Sequence, residues 1–356
     1  MVRTNTVNIF YLCLYVVGIQ VLTQLTGSQF YLTQLTMAAY YGLVVIGLGV
    51  LMGYAGQISI GHAGFFAIGG YLSAALTTHN LLPFKDAPVV DVLDKAGLLV
   101  SAQDIYGDPL LTVHPWGACV FAVGVAAVIA CVLGIPVLKL KGHYLAMATL
   151  GFGIIIYRLL LASAYFGEAD GISDVPPFTL LPGIVISGDF STRVINYYVA
   201  WGVLIGGMVL LLNLIHSRVG RALRSLHSSE EAAEAVGVHT ARFKLYVFIL
   251  SAVYAAFAGV LLTHYNGGIG PSEASVMQSV RYVAVVAVGG MTNLWGTLIM
   301  GVSLTFLSLR GVFGSLDDAV FGVILIGVML FAPDGILSLK DRLFPPKEVT
   351  QEGGDA

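Results

Sequence analysis

The sequence has little charge. Asp, Glu, Lys and Arg make up 10% of 356 residues, against 57% apolar residues, and the mean hydropathy is +0.87. A soluble domain of ordinary composition is excluded, because about a quarter of its residues would be charged. Polar stretches longer than about thirty residues are also missing, so residues 1–356 read as one integral membrane domain. The net charge of −3 says less than where the charges lie. The three cysteines, Cys13, Cys119 and Cys131, stand singly in apolar runs and read as small core residues. No Gly-Lys pair occurs, which excludes a phosphate-binding P-loop. H-E-x-x-H, G-x-S-x-G and C-x-x-C are absent too, and no convergent pair of ionisable groups lies within the apolar runs. The chain is therefore expected not to be an enzyme, to bind no cofactor or metal itself, and to have no nucleic-acid partner.

Long apolar runs recur from end to end. They predict an all-α, polytopic transmembrane helical bundle of about ten spans (nine to eleven) with broken or re-entrant helices. The spans fall near 8–25, 34–53, 62–80, 114–138, 143–166, 194–215, 241–265, 282–292, 294–309 and 318–332. Several are shorter than the roughly 20 residues of a straight crossing, 282–292 above all. No small-x-small cleavage site follows the first apolar stretch, so it reads as a first span rather than a signal peptide.

Basic residues orient the spans. With both termini cytoplasmic, the inner segments hold Arg3, Lys139, Lys141, Arg218, Arg221, Arg224, Arg242, Lys244, Lys340, Arg342 and Lys347, which is eleven of the seventeen Lys and Arg. Lys85, Lys95, Arg193, Arg281 and Arg310 fall outside, and Arg158 lies within a span, either snorkelling or facing a pathway. Two long acidic loops are expected outside. Residues 83–113 carry Asp86, Asp91, Asp94, Asp104 and Asp108; residues 167–193 carry Glu168, Asp170, Asp174 and Asp189. Each reads as a solvated cap or as a docking surface for an extracytoplasmic partner. Residues 341–356 form a polar tail.

The cytoplasmic loop 216–242 has the strongest local pattern. Ser228 and Glu231 have capping-box spacing, Glu230 and Glu231 suit the positive end of a helix dipole, and Gly237 is placed as a left-handed stop. Arg218, Arg221 and Arg224 fall on or near one helical face. The loop thus exposes a short capped helix, Glu231, Ala232, Ala233 and onward, that reads as a docking helix or as an ordinary turn between spans.

Glycine is abundant where a simple anchor would not use it. The stretch GYAGQISIGHAGFFAIGGY, residues 53–71, holds six glycines with Gln57, Ser59 and His62 between them. Each glycine weakens a helix by about 1 kcal/mol relative to alanine. One reading is a broken helix whose freed backbone lines a solute pathway through Gly56, Gln57, Ser59, Gly61 and His62, with Ser59 capping the following half-helix toward a substrate carboxylate. A second interrupted segment, AVGGMTNLWG at 287–296, adds Gly289, Gly290 and Asn293. The other reading is close helix packing through Ser59, Ala63 and Ala67, and through Gly70 and Ala74. Both readings stand, and they are compatible. His62 by itself reads as an interhelical hydrogen-bonding residue or as a member of the pathway.

Glu231-Ala232-Ala233-x-x-x-Gly237 resembles the EAA-x-x-x-G coupling loop of ABC importer permeases. With GRALRSL and ARFKLYVFILSAVYAAFAGVL around it, the 53–71 stretch, LKGHYLAMATLGFG (140–153), VGGMTNLWGTLIMG (288–301) and LFAPDGIL (330–337), the chain resembles the LivM-type member of the branched-chain amino-acid permease family over residues 34–340. Phe166-Gly167-Glu168-Ala169-Asp170-Gly171-Ile172 departs from that family's T-G-G-x-x-G-I motif, and the 83–113 loop is long for it. The resemblance implies a subunit of an ATP-driven importer in a bacterial or archaeal cytoplasmic membrane. It implies two ABC ATP-binding subunits that carry the ATP, a LivH-like second permease and an extracytoplasmic solute-binding protein. Arg221, Arg224, Glu231, Ala232, Ala233 and Gly237 would then form the ATPase-coupling loop. The implied solute is a branched-chain amino acid or a related small polar molecule such as urea or a short amide. The alternative is a stand-alone secondary transporter or channel, and the scarcity of acids within the spans argues against ion coupling. A structural scaffold would not need two broken segments.

Overall fold

The computed structural model describes residues 2–331 except 86, 87, 96, 104–108, 141 and 313. The polar tail 341–356, most of the 330–337 motif, and Lys141, Lys340, Arg342, Lys347, Asp86, Asp104 and Asp108 lie outside the described residues.

The chain forms an all-α membrane bundle. Its helices are α1 (Val2–Leu25), α2 (Phe30–Ala55), α3 (His62–Thr78), α4 (Pro88–Lys95), α5 (Pro115–Val137), α6 (His143–Ala162), α7 (Arg193–His216), α8 (Arg218–Ser228), α9 (Glu230–Ala235), α10 (Thr240–Asn266), α11 (Val276–Gly289), α12 (Leu294–Leu309) and α13 (Asp317–Phe331). All but α4, α8 and α9 correspond one for one to the ten expected spans. Helix is the form that satisfies every backbone amide within an apolar segment, which is why the long uncharged runs take it. Six helices are long and apolar enough to cross a membrane: α1, α2, α5, α6, α7 with the turn before it, and α10. The rest of the bundle is made by the shorter α3, α11, α12 and α13.

One expected boundary moves. The span placed at 282–292 is α11, Val276–Gly289. Ser275 starts it, its hydroxyl accepting the Gln278 amide, and Gly290 at φ 92° ends it. Arg281 therefore lies on a helix, over the Phe321 ring of α13 at 5.5 Å, and not in an outer loop.

Helix α2 is the centre of the bundle. Its most apolar 18-residue window is 94% buried, whereas that of α1 is 11% buried and offers Phe10, Tyr11, Leu14, Tyr15 and Leu22 outward. Helix α5 is divided lengthwise. Ala118, Ala122, Ala126, Ala130 and Gly134 face inward at every fourth position, and Val120, Phe121, Val128 and Val132 face out. Without a solvent-driven hydrophobic effect between spans, such small-residue faces let helices approach closely.

The closest approach joins α3 and α10. A Cβ at Gly69 would stand 2.1 Å from the Ala256 carbonyl oxygen, and one at Gly259 would stand 2.0 Å from that of Phe66. Above the crossing, Ser73 Oγ lies 2.8 Å from His264 Nε2, and His264 Nδ1 lies 2.7 Å from the Pro176 carbonyl. Below it, His62 meets Ser251.

The two ends of the bundle differ. One carries α8 and α9. The other carries three small antiparallel pairs: β1 (Leu99–Gln103) with β2 (Pro109–Val113), β4 (Phe178–Leu181) with β5 (Ile184–Ile186), and β3 (Ile172–Ser173) with β6 (Gly268–Ile269). The last pair ties the 167–193 loop to the segment between α10 and α11.

Gly69→Val and Gly259→Val should each lower the yield and melting temperature of the detergent-solubilised protein, since overpacking of a tight contact costs about 1–3 kcal/mol. Gly124→Ala and Gly151→Ala, where an added Cβ meets nothing within 4 Å, should leave both unchanged or slightly improved. Fluorescence-detected size exclusion and a thermal melt check the contrast.

Candidate functional site

Two interruptions shape the interior. Helix α2 ends at Ala55, where Gly56 takes a left-handed conformation (φ 64°), and residues 57–61 run without helical bonds until α3 begins at His62. His62 Nε2 lies 2.7 Å from the hydroxyl of Ser251, which is 11 residues past Thr240 and so about 16 Å along α10. The irregular segment is thus held at membrane depth, where each of its amides needs a protein partner. The Ile60 amide donates to Thr149 Oγ1 of α6, and the Ala63 amide donates to Ser279 Oγ of α11.

Ser59 does not cap α3. Gly61 occupies the N-cap position without a side-chain bond, and the Ser59 hydroxyl instead lies 3.0 Å from His62 Nδ1. His62, fixed by Ser251 on its other nitrogen, takes the hydroxyl that local spacing assigned to the helix amides. Both ring nitrogens of this buried histidine are therefore partnered within the protein. Gly61 serves close packing: a Cβ there would stand 2.4 Å from the Thr149 carbonyl oxygen. Gln57 is different. It is 2% exposed, and neither its amide oxygen nor its amide nitrogen has a partner.

The 287–296 segment is a tight reversal between α11 and α12. A Cβ at Gly289 would stand 2.5 Å from the Thr297 α-carbon, Gly290 takes φ 92°, and Asn293 Oδ1 accepts the Gly296 amide to cap α12. The reversal packs on the end of α2. Tyr54 donates to the Thr292 carbonyl at 2.9 Å, and a Cβ at Gly53 would overlap the Met291 carbonyl oxygen. The structure so gathers Gly56, Gln57 and the 289–293 turn around one end of α2, while Ser59, Gly61 and His62 lie deeper.

Against the same end lies the loop of α8 and α9. Helix α8 buries Gly220, Leu223 and Leu226, and its His227 ring stands against Gly56, 2.9 Å from where a Cβ would be. Arg224 donates to the Ile215 carbonyl at 2.8 Å, closing the turn after α7, while Arg221 is exposed. The cap of α9 is Ser229, whose hydroxyl accepts the Ala232 amide; Ser228 instead bonds back to the Arg224 carbonyl of α8. The cap shifts by one residue because α8 extends through Ser228. Gly237 is left-handed (φ 85°) and, with Val238, returns amides to the Glu234 and Ala233 carbonyls. Ala233 faces inward, and Glu231, Ala232, Ala235 and Val236 face out. Two contacts fasten α9 to α10: the Glu230–Lys244 ion pair, and the Thr240 hydroxyl on Glu234 Oε1 at 2.6 Å.

Thr149, Ser251 and Ser279 were invisible as site residues in the sequence, because their roles come from partners 89, 189 and 216 residues away. Glu273, in the turn before α11, is a further polar group with a buried oxygen that the sequence reading did not single out. Tyr41 of α2 donates to its Oε1 at 2.8 Å, 11 residues past Phe30, which sets the carboxylate about 16 Å below the strand-bearing end of α2. Its flanking pattern Pro-Ser-Glu-Ala-Ser, ending in the α11 cap, was the available signal.

A family model described as the permease component of branched-chain amino acid transport systems matches residues 30–332. The chain is 30% identical to the LivM permease protein of the high-affinity branched-chain amino acid transport system of Salmonella typhimurium, over 85% of this chain and 69% of that protein. It is 28% identical to the LivH permease protein of the corresponding Escherichia coli system, over 85% and 92%. It is 25% identical to the fructose import permease protein FrcC of Rhizobium meliloti, over 74% and 73%. No solved structure matches.

Gly61→Leu should reduce the amount of folded, monodisperse protein, because its side chain would collide with α6 backbone. Gln57→Leu, which replaces a buried unpartnered amide by an apolar group, should leave folding intact or improve it. Size-exclusion profiles of the two variants side by side check this.

Proposed function

Because the chain belongs to the family of branched-chain amino acid permease components, we propose that it is the membrane-spanning subunit of an ATP-driven importer, carrying branched-chain amino acids by alternating access. One observation carries the mechanism: the docking loop and the interruption after α2 touch, through His227 on Gly56. A coupling helix that ended on an inert part of the bundle could not alter a pathway. Here α8, which leads directly into α9, abuts the segment that holds the unpartnered Gln57.

The α8–α9 end faces the cytoplasm in this reading, in accord with the basic residues around it. One of two ABC subunits docks on the outward face of α9, formed by Glu231, Ala232, Ala235 and Val236, with Arg221 beside it. ATP binding on those subunits displaces α9. The displacement passes along two rigid routes. Glu230–Lys244 and Glu234–Thr240 move the base of α10, which is bonded and packed to α3 through Ser251 and Gly259. His227 moves the start of the 56–61 segment. Helix α3 and the 56–61 segment are thus the element with two positions, and the loop supplies its bias. A LivH-like permease completes the membrane unit, and a solute-binding protein delivers solute to the strand-bearing end. Urea and short amides are the other small polar solutes this architecture would admit. A stand-alone channel or secondary transporter has no use for a capped helix fastened twice to α10.

Glu231→Arg should reverse the charge on the docking face without touching the bundle. Uptake by the reconstituted complex and solute-stimulated ATP hydrolysis should fall together, by about 5- to 150-fold, the range of a coupling free energy of about 1–3 kcal/mol. Insertion and the elution profile should not change. Normal uptake by this variant would remove the coupling role of α9.

A further inference from the structure

A small cavity of about 70 Å³ lies between α3, α10 and the turn before α11, lined by Phe66, Thr263, Asn266, Gly270, Ser272 and Glu273. Its chemistry is unusual for membrane depth. Tyr41 holds Glu273 Oε1, and Oε2 is shielded from solvent with no hydrogen-bond partner. Thr263 is 2% exposed and its hydroxyl has no partner either. Among the described residues Glu273 forms no ion pair. Arg281 is an electrostatic neighbour of Glu273.

Buried polar atoms are nearly always satisfied, and a carboxylate away from water calls for a cation. Two acceptor oxygens from two elements, Glu273 Oε2 and Thr263 Oγ1, one of them charged, match N–H donors of an alkylammonium group. The cavity suits the head of such a group and not a whole amino acid. The exposed Asn266 places its mouth toward the strand-bearing end, and Phe66, stacked on Tyr41 with ring centroids 5.7 Å apart, forms its apolar wall. We propose that Glu273 and Thr263 form a subsite for the ammonium group of an α-amino acid, entered before the solute reaches the interruption at Gly56–Gly61. The subsite rests on the transport reading above and adds to it: a carboxylate here selects zwitterionic or cationic solutes over urea, amides and sugars.

The test is site-specific protection in the complete reconstituted complex without nucleotide. Dicyclohexylcarbodiimide, which enters membranes and reacts with shielded carboxyl groups, should label Glu273, with the adduct located by peptide mass spectrometry and absent in Glu273→Gln. Leucine at about ten times its dissociation constant should slow that labelling about elevenfold, since only the unoccupied fraction reacts. The des-amino analogue 4-methylpentanoate and urea should give no protection. Equal protection by leucine and 4-methylpentanoate, protection by sodium alone, or a Glu273 that is never labelled would each overturn the subsite. A second measurement separates this from the reading it rests on. Wild-type complex that imports leucine on ATP while Glu273 stays unprotected removes the subsite alone; complex that imports no solute on ATP removes the transport reading itself.

Discussion

The backbone contact between α3 and α10 at Gly69 and Gly259 is the constraint on which the rest of the structure depends. Any side chain at either position would meet a carbonyl oxygen at about half the normal separation. Because these helices touch backbone to backbone, His62 can reach Ser251 below the contact and Ser73 can reach His264 above it. The same contact brings Thr263 to the cavity that Glu273 lines. Helix α3 can then begin inside the bundle rather than at its edge, with the irregular 57–61 segment satisfied by side chains from α6, α10 and α11.

That arrangement makes one mechanical unit of elements far apart in sequence. The α8–α9 loop is joined to α10 by an ion pair and a hydrogen bond, and to the end of α2 by His227. Close-packed interiors do not deform gradually, so a push on the base of α10 moves α3 with it. The exposed face of α9 and the interior break are two ends of one connected path, which is the physical content of the proposed coupling.

Local features of the fold were legible in the sequence. Ten apolar helices and the short helix stopped by Gly237 follow from apolar run length and from residues within four positions of one another, whereas Asn293, read as a pathway residue, is the cap of α12. The alanine face of α5 was equally legible, since Ala118, Ala122, Ala126 and Ala130 recur at every fourth position. What escaped depended on distant partners. Ser59 had the spacing of a cap, yet a histidine already fixed by Ser251 claimed it. Ser228 had capping-box spacing, yet the preceding helix extended over it and left Ser229 to cap. Arg281 looked like an outer-loop charge because α11 is short and begins part-way down the bundle. The glycines both pack and interrupt: Gly61 and Gly69 pack against backbone, while Gly56 and Gly290 make left-handed turns at the end of α2.

The most direct measurement of the central claim, that an ATPase drives this chain from outside the bundle, is purification of the tagged chain from its native membrane in a gentle detergent, with mass spectrometry of what accompanies it. The account predicts a P-loop ATPase and a second permease in stoichiometric amount. A chain that purifies alone, and moves solute across liposome membranes without ATP, would contradict it.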